Sequence, residues 1–144
     1  MKKLYVVVLM TVIAACASVQ PAAVNAGDRC IRCRRPIGDL RMAAEIVDHL
    51  KAPFPFRTAG CLAKYIKGHP GEQLAGVFVT DYRTGHMLAA EDAWFVPTTV
   101  TDVSSRRVEQ DFLAFRSRSD ADSFRAERQP MLRWAQVLAE ATAN

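Results

Sequence analysis

Phe54-Pro55-Phe56-Arg57-Thr58-Ala59-Gly60-Cys61-Leu62-Ala63-Lys64-Tyr65-Ile66-Lys67, then Gly68-His69-Pro70-Gly71, then Gly76-Val77-Phe78-Val79-Thr80-Asp81-Tyr82, is the run that decides the fold. Phe54 to Arg57 reads as a short strand. Thr58 can cap a helix from Ala59 to Lys67, in which Cys61, Leu62, Tyr65 and Ile66 share one face while Lys64 and Lys67 meet water. Gly68-His69-Pro70-Gly71 ends that helix, and Gly76 to Tyr82 is the strongest strand pattern in the chain. Arg83-Thr84-Gly85 then turns into a short continuation, His86 to Ala90.

Working outward toward the amino terminus, Met42 to Val47 is an apolar run that can pair with Phe54 to Arg57 as a hairpin across the polar stretch Asp48 to Pro53. Toward the carboxyl terminus, Ala93 to Thr99 and Phe112 to Arg116 read as strands flanking a polar loop, Thr101 to Gln110. Ser119 with Asp122 resembles a capping box opening a helix through Arg128, with Ala121 and Phe124 turned inward. Pro130 starts a last helix on which Met131, Trp134, Ala135 and Leu138 form an apolar stripe. Two successive strand-strand-helix units, about 30–90 and 91–129, followed by a helix over 130–143, predict an α+β fold with small antiparallel sheets.

With 144 residues, 50% apolar and 24% charged, the chain falls in the ordinary globular class and outside the disordered, collagenous and multi-span membrane classes. Its formal charge is +4, and removal of Lys2 and Lys3 with a leader halves that excess. No basic block interleaved with aromatics remains, which argues against nucleic acid as a partner.

Lys2 and Lys3 precede an uncharged apolar run, Leu4 to Ala15, shorter than the ~20 residues a spanning helix needs. Residues 1–15 therefore read as an export signal. Ile13-Ala14-Ala15-Cys16 has the form of a lipobox, so Cys16 is the expected lipidation site. That places a tether over 16–29 and a globular part over 30–144, periplasmic and lipid-anchored to a bacterial membrane. Val24-Asn25-Ala26 offers a competing cleavage site that would release a soluble protein.

The exported part then holds Cys30, Cys33 and Cys61, an odd number for an oxidising compartment. Cys30-Ile31-Arg32-Cys33 has the spacing that lets two sulfurs converge on one metal, and equally that of a redox dithiol. No His follows Cys33, which excludes c-type haem attachment. The flanking Asp28, Arg29, Arg32, Arg34 and Arg35 predict an exposed pair whose cationic neighbours favour thiolates. Cys61 reads either as a buried small hydrophobe or as a thiolate favoured by the helix-terminal amides. His86 and Met87, with His69, are candidates for a further ligand, set against plainer roles as a turn residue and a core filler. Three sulfurs suit Cu(I) or Zn(II) rather than a hard cation. No Gly-rich phosphate loop, Ser-His-Asp arrangement or His-Glu-x-x-His motif is present, so no enzyme is predicted.

Five stretches in order carry a family likeness: Cys30-x-x-Cys33; Thr58-Ala59-Gly60-Cys61-Leu62-Ala63-Lys64-Tyr65; Val77 to Gly85; Ala90-Glu91-Asp92-Ala93-Trp94-Phe95-Val96; and Leu113-Ala114-Phe115 followed by Asp120-Ala121-Asp122-Ser123-Phe124. Over about Cys30 to Arg128 the chain resembles the NosL family of exported bacterial lipoproteins associated with copper delivery to nitrous oxide reductase. The resemblance implies a fold of two similar small halves, a Cu(I) cargo, and a copper-donating or copper-accepting periplasmic partner. It also shows two departures. Arg34 and Arg35 follow Cys33 where the family usually continues with Gly-Met, and Arg106-Arg107-Val108-Glu109 stands where it commonly has Met-Gly. The alternatives are a thiol redox protein, or an interaction lipoprotein with a structural disulfide or zinc.

Overall fold

A computed structural model describes residues 18–102 and 105–141. The leader and the lipidation candidate Cys16 lie outside the described residues. The fold is α+β. Strands β1 (Ala44–Asp48), β2 (Pro53–Phe56), β3 (Leu74–Thr80) and β4 (Met87–Ala89) form one antiparallel sheet in the order β2-β1-β3-β4. Strands β5 (Trp94–Asp102) and β6 (Arg107–Phe115) form a separate antiparallel hairpin. Helix α1 (Ala59–Gly68) follows β2, α2 (Arg118–Phe124) follows β6, and α3 (Trp134–Glu140) ends the chain.

Strand alternation assigns the two faces of the first sheet. Ala44 and Ile46 join the core that includes Ala59, Cys61 and Leu62 of α1. Glu45 and Val47 point the other way and are nevertheless buried, because the stretch expected to be a tether lies against that face. The Ala22 amide donates to Glu45 Oε1 at 2.6 Å, and Val19 sits beside Gly76. Burial raises the Glu45 carboxyl above its usual range, with the Ala22 amide opposing. From Val19 onward the chain is thus part of the folded body.

The second half joins the first through backbone as well as side chains. The Tyr82 amide donates to the Ala114 carbonyl at 2.8 Å, alongside a parallel bridge between Asp81 and Ala114. Three details differ from the sequence reading. The loop expected over Thr101 to Gln110 is mostly strand, because β5 and β6 stay paired out to Asp102 and Arg107. The second helix is capped by Ser117, not Ser119, and ends at Phe124. Ser117 Oγ accepts from the Asp120 amide at 3.0 Å, and the chain is already extended at Arg125. The last helix starts at Trp134 because Leu132 exchanges both backbone hydrogen bonds with Phe95, which holds residues just after Pro130 extended. Its buried stripe is consequently Trp134, Val137 and Ala141, while Ala135 is exposed.

Candidate metal centre

Two local structures carry the three cysteines. The first is a tight reversal between Asp28 and Ile37. Ile37 donates its amide to the Asp28 carbonyl at 2.8 Å, Cys30 to Arg35 at 2.9 Å, and Arg34 to Cys30 at 2.9 Å. Closing so small a loop puts Arg34 at φ 62°, the left-handed region, which costs a non-glycine residue about 1 kcal/mol. The loop is fixed at two points. The Ile31 amide donates to the Pro55 carbonyl of β2 at 3.0 Å, and the Arg35 guanidinium pairs with the buried Asp102 of β5.

The second structure is the first turn of α1. Thr58 Oγ1 accepts from the Cys61 amide at 3.1 Å, the N-cap bond expected from the sequence. A second cap comes from the other half of the molecule, where Asp111 Oδ1 on β6 accepts from the Gly60 amide at 2.9 Å. Burial raises the Asp111 carboxyl, against hydrogen bonds from Thr58 and the Phe112 and Gly60 amides and the nearby Arg57 charge. Position 60 favours glycine, since a Cβ would stand 2.8 Å from Asp111 Oδ1 and push the capping carboxylate aside.

The Sγ atoms of Cys30, Cys33 and Cys61 all lie within 4.8 Å of one another, with Cys33 and Cys61 3.9 Å apart. All three thiols are free. Three sulfurs held ~2.3 Å from one ion stand about 4 Å apart, so the cluster needs only small adjustments to close on a three-coordinate soft cation. Cys30 is fully buried and Cys61 is 4% exposed, while Cys33 is partly open. The exposed pair expected from the flanking charges is thus half wrong: the loop folds back onto α1 and buries Cys30.

The thiols share protons unevenly. A hydrogen bond from Cys61 draws Cys30 down to about 7, against burial and helped by the backbone amides of Cys33 and Arg57. Cys61 is raised by that same bond to Cys30, and Cys33 is raised by its bond to Cys61 and by burial. Cys30 is therefore the most easily ionised of the three, and a soft cation held by all three sulfurs would displace the protons of the other two.

His86 and Met87 sit elsewhere. They lie at β4, the sheet edge opposite β2, with His86 exposed in the preceding turn and Met87 paired in register with Thr80. His69 lies past the far end of α1, its ring stacked on Tyr65 at 4.1 Å. Among the described residues no His, Asp or Glu joins the three-cysteine group. Asp111 and Asp102 are supports that sequence reasoning missed. The available signal was a lone acid set against the apolar run Phe112-Leu113-Ala114-Phe115.

No protein-family model matches the sequence, and neither does any curated protein. The fold is similar to the crystal structure of the copper chaperone NosL from Shewanella denitrificans, with a TM-score of 0.66 at 19% identity, covering 88% of this chain and 98% of that one. The chain therefore has a NosL-like fold, with a cluster of three free cysteines seated where its amino-terminal loop meets the start of α1.

Proposed function

We propose that the chain is a non-enzymatic metal-binding protein that holds Cu(I) by the thiolates of Cys30, Cys33 and Cys61 and passes it to a copper enzyme or its assembly factors. The observation that carries this reading is the convergence of three free sulfurs from two distant segments at a spacing suited to one soft ion. The likeness of fold to a copper chaperone supports it. A closed structural zinc site needs four ligands, and the described cluster supplies three, which favours a cargo site over a structural one. In this reading the chain is exported, held to a bacterial membrane by lipidated Cys16, and works beside a nitrous oxide reductase-like enzyme.

Anaerobic titration with Cu(I) against a competing chelator tests the proposal. One Cu(I) per chain is expected, lost in the Cys30→Ser, Cys33→Ser double variant. Unchanged Cu(I) retention in that variant would show that the three cysteines are not the copper site, and a reducible Cys33–Cys61 disulfide with no metal uptake would move the chain to the thiol redox class.

A further inference from the structure

We propose that the arginine rim around Cys33 is a docking face for an acidic protein partner, and that Cys33 is the ligand exchanged first when metal moves between the two. The inference rests on the Cu(I) reading above. Cys33 is the one open thiol of the three, so an incoming donor reaches the cluster on its side. The surface there is cationic. Arg29 and Arg34 are exposed, and Arg29 Nη1 donates to the Arg34 carbonyl at 3.0 Å, which holds the two side by side. Neither forms an ion pair among the described residues, whereas Arg35 is already matched by Asp102.

Arg34 directly follows Cys33 in the chain, on a left-handed backbone of the kind Lys51, Arg106 and Arg128 adopt in other turns. The partner is a protein surface rather than a small anion, because the rim stands on an outward tight turn and small molecules need concave sites. Exchange conserves charge and protons. The partner's thiol or thioether sulfur forms a bond to Cu(I), the Cys33 sulfur–copper bond breaks, and the freed Cys33 thiolate takes up a proton from a partner thiol or from water. No oxidant or reductant enters.

Two synthetic peptides test the face. Both carry the same Cys-x-x-Cys copper ligands, one flanked by glutamates and the other by lysines. The glutamate peptide is expected to bind the metal-free protein more tightly and to withdraw Cu(I) at least about tenfold faster at low salt, with the advantage shrinking as salt rises. An Arg29→Gln, Arg34→Gly variant is expected to lose that advantage while binding the same amount of Cu(I). Equal rates and affinities for the two peptides would overturn the docking face while leaving the metal site standing. So would an arginine effect seen only with a small disulfonated chelator. If the protein takes up no Cu(I) yet binds the glutamate peptide through the arginines, the cargo reading falls and the docking face stays.

Discussion

The two helix entrances of this molecule are built alike and used differently. Phe56-Arg57-Thr58-Ala59-Gly60-Cys61 leads from β2 into α1, and Phe115-Arg116-Ser117-Arg118-Ser119-Asp120 leads from β6 into α2. Both phenylalanines are fully buried. The hydroxyls of Thr58 and Ser117 each accept from the amide three residues on, and the next residues, Leu62 and Ala121, are both in the core. In α2 the side chain at that third position is a carboxylate that turns back to its own cap, Ser117 Oγ donating to Asp120 Oδ2 at 2.8 Å. In α1 it is Cys61, and the second capping oxygen comes instead from Asp111 in the other half. Supplying the cap from outside frees the third position to face the Cys30–Cys33 loop.

The sharpest test of that contrast is the residue beside each cap. Gly60→Ala drives a Cβ into Asp111, and a destabilisation of about 2 kcal/mol is expected in metal-free urea unfolding, whereas Ser119→Ala, at the exposed matching position, should stay within about 0.5 kcal/mol. Similar losses at the two sites would mean that Asp111 does not crowd position 60. Next come the caps themselves. Thr58→Ala should cost about 2 kcal/mol and Ser117→Ala about 1 kcal/mol, because the Thr58 hydroxyl is buried near the Asp111 carboxyl whereas Ser117 is half-buried and bonds within its own turn. Equal costs would remove the cross-half support.

A smaller effect contrasts the two faces of the first sheet. Only the outer face hides a carboxyl, Glu45, whose folded-state affinity for its proton exceeds the ordinary value of 4.5 because it is buried under the amino-terminal stretch. Such a group favours the folded chain while protonated, and that contribution is lost as pH rises from about 4.5 through the raised value. Wild-type stability is therefore expected to fall relative to Glu45→Gln as unfolding is measured at increasing pH across this window. A constant difference between the two would show that the Glu45 carboxyl is not desolvated in the folded protein.

What was legible in the sequence was local. The Thr58 cap, the apolar face of α1 and the strand of Val77 to Val79 follow from neighbours within a turn or a pleat, and they stand where expected. The expected cap lies two residues beyond the observed one because Ser119 and Asp122 repeat the spacing of Ser117 and Asp120, and only the extended backbone from β6 decides between them. The meeting of Cys61 with Cys30 and Cys33 was not legible. It depends on the Ile31 to Pro55 hydrogen bond and on the Asp111 carboxylate, 51 residues from Gly60 in sequence, both products of tertiary packing. The burial of Cys30 escaped for the same reason, since its charged neighbours face water on the loop while its sulfur does not.

X-ray absorption at the copper edge on Cu(I)-loaded protein tests the central claim most directly. Three sulfurs at about 2.3 Å are expected in the wild type and in Asp120→Ser, falling to two in Cys61→Ser. A copper shell dominated by nitrogen or oxygen, or a sulfur count unchanged by Cys61→Ser, would contradict the three-cysteine site.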